Sequence, residues 1–212
     1  MSFELATYGV WMAWALSWYI AARWASRAAA RPRPSVRDFH RLVATAGIGL
    51  VMWVASRPGG VGYHFPPDAP LAGLSKAAAN EPDWLQALLL AATVASFAFC
   101  WWARVHMGRL WSGFITVKAA HRIVDTGPFR LVRHPIYAGL MGAIVAMALI
   151  KLSPLAGLGA LLVIAGFSIT AKLEERFLRE ELGADVYDPY RRRTAMLVPG
   201  LRLGAREPQP LS

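Results

Sequence analysis

Two polar segments interrupt an otherwise apolar chain, and they hold the residue types that could do chemistry. One reads HRIVDTGPFRLVRHPIY over residues 121–137, and the other reads KLEERFLREELGADVYDPYRRRTAMLVP over residues 172–199. The first carries His121 and His134, with Thr126-Gly127-Pro128 as a turn between them and Arg133-His134-Pro135 where an apolar run begins. Proline suits a first helical turn, because its missing N–H would be unpaired there anyway. The free N–H groups and positive dipole end of such a helix start can receive an anion such as a carboxylate. The plainer alternative is a helix start with a basic flank.

The second segment continues a helix out of an apolar run. At about 100° per residue from Leu173, the residues Phe177, Leu178 and Leu182 define an apolar half, while Lys172, Arg176, Arg179 and Glu180 form a solvated half. Glu174 falls at about 100°, inside the apolar half, and Glu175 at about 200°, at its edge. A carboxylate on a packed face needs a partner, so Glu174 is the candidate functional acid. Gly183 ends the helix. Tyr187 and Tyr190 then flank Pro189 and lead into Arg191-Arg192-Arg193, which could simply meet lipid headgroups.

The elements that must position these residues are membrane helices. The chain has 212 residues, is 56% hydrophobic and carries a formal charge of +10. Its Lys and Arg are crowded between apolar runs, as the cost of a charge in the bilayer centre requires. No basic stripe interleaved with aromatics supports nucleic-acid binding. Five spans are expected, over residues 5–22, 42–56, 84–103, 136–150 and 152–171. The last two form a tight hairpin about residues 151–154, with Gly139 and Gly142 facing Gly157, Gly159 and Gly166 for close backbone approach.

Loop charge sets the orientation. Arg23, Arg27, Arg31, Arg33, Arg37 and Arg41 lie between the first two spans, and Arg104, Arg109, Lys118, Arg122, Arg130 and Arg133 between the third and fourth. The loop over residues 57–83 has only Arg57 and Lys76 against Asp68, Glu81 and Asp83, and the hairpin turn has only Lys151. The basic loops and the C-terminus are therefore expected in the cytosol, with the N-terminus outside. Residues 1–103 are read as a three-span region, 104–200 as a catalytic core and 201–212 as a frayed tail. The single Cys100 excludes a disulfide framework within the chain. No clustered ligand set suggests a metal.

In their order, these residues resemble the isoprenylcysteine carboxyl methyltransferase family. The resemblance rests on His121, Ile123-Val124, Thr126-Gly127, Phe129, Arg133-His134-Pro135, Tyr137, Gly139, Glu174-Glu175, Gly183, Tyr187, Tyr190, Arg193 and Pro199, with an upstream Trp111-Ser112-Gly113. It implies an all-α membrane bundle, in a bacterial inner membrane, that uses S-adenosylmethionine as cofactor. The resemblance would place the cofactor against His121, Arg122, Ile123, Val124, Gly127, Phe129, His134, Pro135, Ile136, Tyr137 and Glu174. Arg133, His134 and Arg193 would be catalytic, and Thr170, Tyr187 and Tyr190 would meet the acceptor.

Three residues depart from the family pattern. Phe129 replaces a Tyr, Met196 stands where relatives often carry a basic residue, and Thr170 stands where the eukaryotic enzymes place a carboxylate-binding Arg. The expected acceptor is an apolar or amphipathic small molecule entering from the bilayer, with a prenylcysteine carboxylate, a lipid amine and a thiol all open. The competing readings are an NADPH-dependent membrane sterol-type reductase, which shares a related C-terminal domain, and a non-catalytic membrane protein.

Overall fold

A computed structural model describes residues 3–23, 34–54, 82–108 and 123–201. The long loop over residues 57–81, the segment holding Trp111-Ser112-Gly113, His121 and Arg122, and the tail from residue 202 lie outside the described residues. Helices are the regular elements of the described residues, in the order α1 (Phe3–Ala22), α2 (Pro34–Trp53), α3 (Asp83–Met107), the single turn α4 (Pro128–Leu131), α5 (Pro135–Lys151), α6 (Pro154–Leu182) and α7 (Ala184–Arg193).

The five expected spans fall on α1, α2, α3, α5 and α6. Two of these, Asp83–Met107 and Pro154–Leu182, are by themselves long and apolar enough to cross a membrane, while Leu42–Trp53 and Pro135–Lys151 are shorter apolar helices. The third helix runs one turn beyond the expected end at residue 103. Arg104, expected in the following loop, is therefore a helical residue and is buried. Its guanidinium donates to Gly108 O at 2.8 Å and to Ala21 O at 2.9 Å, satisfying carbonyls at the ends of α3 and α1 that helix geometry leaves open.

The main packing pairs α2 with α6 and α3 with α5. This corrects the expected role of the glycines, which do not serve mainly to bring the hairpin's own two helices together. A Cβ on Gly139 would lie 2.5 Å from Cys100 Sγ on α3, and one on Gly159 would lie 2.7 Å from Gly47 O on α2. Gly142 meets Ser96, Gly166 meets the backbone of α2, and Gly157 meets nothing within 4 Å. Helices in lipid associate through close van der Waals fit, and small residues sit wherever that fit is tightest. Here that place is between successive layers. The first helix joins the bundle through rings: Trp14 stacks on Phe97 at 4.7 Å and Trp11 meets it edge-on at 4.8 Å.

The hairpin turn is made by Leu152 in the left-handed conformation, at φ 44°. Beside it Lys151 is fully buried rather than exposed in a loop. Its ammonium donates to Glu4 Oε1 at 3.3 Å, to Tyr8 Oη at 2.8 Å and to the carbonyl of Val54. One cation thus ties together the start of α1, the end of α2 and the end of α5. The candidate site lies at the other end of α5, about 25 Å away along the helix.

Candidate active site

The two polar segments meet where α5 begins. Arg133 and His134 form the bend between α4 and α5, and His134 is the residue before the first turn of α5. The chain after α7 folds back beside this bend: Arg133 N donates to Ala195 O at 2.8 Å and His134 N donates to Met196 O at 3.1 Å. Met196 therefore contributes its carbonyl, which any side chain at that position would also supply.

The side chains of the bend converge on the second carboxylate of the Glu174-Glu175 pair. Arg133 Nε donates to Glu175 Oε1 at 2.6 Å, and His134 Nε2 lies 3.2 Å from the same oxygen. Arg191 Nε is 3.7 Å from Glu175 Oε2. Burial alone would raise this carboxyl's pKa. The hydrogen bonds and charges of His134 and Arg133 outweigh burial and hold the group below its ordinary range. Arg133 also donates through Nη1 to the carbonyls of Arg191, at 2.9 Å, and Thr194.

This arrangement corrects the helical-wheel ranking of the two acids. The side chain of Glu175 is 10% exposed and that of Glu174 is 26% exposed. The wheel ranked faces by their apolar neighbours. What actually covers this stretch of α6 is a cationic bend and the returning α7, and they lie on the Glu175 side.

Glu174 is the more accessible acid. Tyr137 Oη donates to its Oε2 at 3.1 Å, and His134 Nδ1 stands 3.7 Å from that oxygen. A column of rings runs inward from here. His134 stacks on Tyr137 at 5.6 Å with an interplanar angle of 11°, and Tyr137 stacks on Phe167 at 5.2 Å, again at 11°. Phe167 was not among the expected site residues. Its signal was present, since seven residues before Glu174 is nearly two turns and puts Phe167 on the Glu174 face.

The remaining expected residues are placed as follows. Pro135 is buried, Ile136 half-buried, and Ile136 O accepts from Cys100 Sγ at 3.4 Å. Ile123 and Val124 are half-buried, and Gly127 has φ +57° ahead of α4. Phe129 is buried, and its carbonyl accepts from Tyr190 Oη at 2.8 Å. Burial pushes the phenols of Tyr187 and Tyr190 up, so Tyr190 stays protonated and able to donate. Tyr187 is buried edge-on against Tyr190, at 6.2 Å.

Arg193 is exposed, pairs with Asp125, and lies 5.7 Å over the Tyr190 ring. Thr170 is buried and its hydroxyl donates to Gly166 O at 2.8 Å, within its own helix. Arg133 and Arg193 are thus both engaged with protein groups. Glu174, Tyr137 and His134 form a polar cluster at the head of α5, with the ring of Phe167 stacked behind Tyr137.

The sequence profile of the isoprenylcysteine carboxyl methyltransferase (ICMT) family matches residues 87–180. That stretch includes Arg133, His134, Tyr137, Glu174 and Glu175, the groups that meet at the head of α5. No curated protein sequence matches the chain.

Proposed function

We propose that this chain, which carries the isoprenylcysteine carboxyl methyltransferase family's pattern over residues 87–180, is an integral membrane methyltransferase that uses S-adenosylmethionine. The carrying observation is the polar cluster at the head of α5, where Glu174 is 26% exposed beside Tyr137 while Glu175 is engaged by Arg133 and His134. When bound, the cofactor supplies an electrophilic methyl group, and the protein has to align donor and acceptor and exclude water.

The residues fit such a group. The half-exposed Glu174 carboxylate can accept hydrogen bonds from ribose hydroxyls. The amide of Ile136 lies in the first turn of α5, where helix geometry gives it no intrahelical partner, and suits an aminocarboxylate. Phe129, Ile123 and Val124 offer an apolar wall for an adenine, with His121, Arg122, Gly127 and Pro135 completing the set implied by the family pattern. Arg133 acts by position: it holds Glu175 and the returning chain, so that His134 is kept beside Glu174.

The five helices α1, α2, α3, α5 and α6 span the bilayer, with the N-terminus outside and the site in the cytosol where the donor is made. This reading is supported by the loop charges and by the placement of the site at the same end of α5 as Arg130 and Arg133. The acceptor is an apolar or amphipathic molecule reaching the site from the bilayer. It lacks a carboxylate at the Thr170 level, because Thr170 is buried and its hydroxyl is already given to Gly166 O. A thiol or amine on an apolar body fits that requirement, and the exposed Arg130 would favour a thiolate.

Isothermal titration of the purified protein with S-adenosylmethionine and, separately, with NADPH tests the assignment. Binding of the first alone supports the methyltransferase, binding of the second alone a reductase, and binding of neither a non-catalytic membrane protein.

A further inference from the structure

His106 lies outside every residue carried over by the family pattern, yet it reaches the candidate donor site from the last turn of α3. Three contacts define its place. His106 Nε2 and Thr126 Oγ1 are hydrogen-bonded at 2.8 Å. Its ring covers Gly127 so closely that a Cβ there would lie 2.8 Å from Cε1 and 2.9 Å from Nδ1. The same ring stands 6.4 Å from the ring of Phe129. One imidazole therefore touches three of the four residues of the turn that opens α4.

The turn is gripped from its other side by α7, through Tyr190 Oη on Phe129 O and Arg193 on Asp125. Within it, Phe129 N donates to Thr126 O at 3.2 Å and Arg130 N to Gly127 O at 3.1 Å. A four-residue helix has little cohesion of its own, since a first turn fixes several dihedrals for one hydrogen bond. Its shape has to be imposed from outside.

We propose that His106 is a positioning residue for the candidate donor site, clamping residues 126–129 so that Phe129 and the start of α4 keep a fixed geometry. The proposal rests on the methyltransferase reading for the identity of the donor, and on the contacts above for the clamp itself. It assigns a role at the site to the end of α3.

Two readouts separate the clamp from the donor. Amide hydrogen exchange in the full-length protein should show His106→Ala accelerating Phe129 and Arg130 by about tenfold, with Arg133 and His134, which are bonded to the chain after α7, unchanged. Titration with S-adenosylmethionine should show affinity falling about five- to tenfold, the loss expected for one neutral hydrogen bond with its packing. His106→Gln, which keeps a side-chain polar group within reach of Thr126, should recover most of both effects. Thr126→Val should reproduce the hydrogen-bond part of the His106→Ala effect, and the double variant should be no worse than His106→Ala, because both remove the same hydrogen bond.

Unchanged exchange at Phe129 and Arg130, or fully additive losses in the double variant, would overturn the clamp. If His106→Ala fails to fold, Thr126→Val carries the decision, since it removes only the hydroxyl. A wild type that does not bind S-adenosylmethionine would refute the methyltransferase reading and the donor part of this proposal, and the exchange data would still decide the clamp.

Discussion

Arg133 Nε and Glu175 Oε1 lie 2.6 Å apart, and this contact joins the bend before α5 to the C-terminal part of α6 across 42 residues of sequence. Because Arg133 also donates to the carbonyls of Arg191 and Thr194, the pair fixes the end of α7 as well. Removing the Glu175 charge would leave the buried Arg133 guanidinium with carbonyl partners alone. Glu175→Gln is therefore expected to lower unfolding stability by about 2–4 kcal/mol, read from thermal or denaturant unfolding in detergent.

The same pair carries a pH signature. The Glu175 carboxyl is held below its ordinary range in the folded protein, so the unfolded chain binds its proton first as pH falls. The stabilisation is fully present above an ordinary carboxylate pKa of about 4.3 and is lost as pH falls through the depressed folded value. The wild-type advantage over Glu175→Gln should thus be constant near neutrality and shrink below about pH 4. An advantage that grew with acid would contradict the pairing.

How far the sequence carried depended on the kind of question. The helices at residues 84–103 and 136–150 were legible because uninterrupted apolar runs have few other solutions in a membrane. Pro135 and Gly183 marked helix boundaries correctly, because each acts through its own backbone. The choice between Glu174 and Glu175 was not legible, since it depends on Arg133, 42 residues away. Lys151 was read as a loop charge for a similar reason. Its partner Glu4 is 147 residues distant, and nothing near Lys151 in the chain foretells a buried pair. Phe167 was recoverable from helical spacing, whereas His106 required knowing where α3 ends.

The Glu4–Lys151 pair offers a separate test at the far end of the bundle. Its side chains are 5% and 0% exposed. Glu4→Gln and Lys151→Met should each destabilise by about 3–5 kcal/mol, as expected when a buried charge loses its partner. The double variant should recover much of that loss, measured by the same unfolding assay. Equal additivity of the two losses would mean that the ion pair is not formed.

Topology can be read directly. Reporter fusions at Leu71 and Leu201 should report opposite sides of the membrane, outside and cytosolic respectively. Both reporters on one side would remove the five-span arrangement and, with it, a cytosolic site.

The proposed acceptor preference rests on Thr170. A methyl-transfer assay should give slow turnover of a prenylated cysteine with a free carboxylate and faster turnover of a thiol on a comparable apolar body. Thr170→Arg should raise activity on the carboxylate, because a guanidinium can bind it through two parallel hydrogen bonds and a hydroxyl cannot. Efficient turnover of the carboxylate alone by the wild type would refute this preference.

The most direct test of the account is a titration of S-adenosylmethionine against the wild type, Glu174→Gln, Tyr137→Phe and Glu180→Gln. Glu174 and Tyr137 share a 3.1 Å hydrogen bond at the head of α5, while Glu180 is exposed on another face of α6. The account predicts that Glu174→Gln weakens binding about ten- to hundredfold, the loss of one charge-assisted hydrogen bond. Tyr137→Phe should weaken it less, and Glu180→Gln should match the wild type. Equal affinity for all four proteins, or no binding by any of them, would contradict the account.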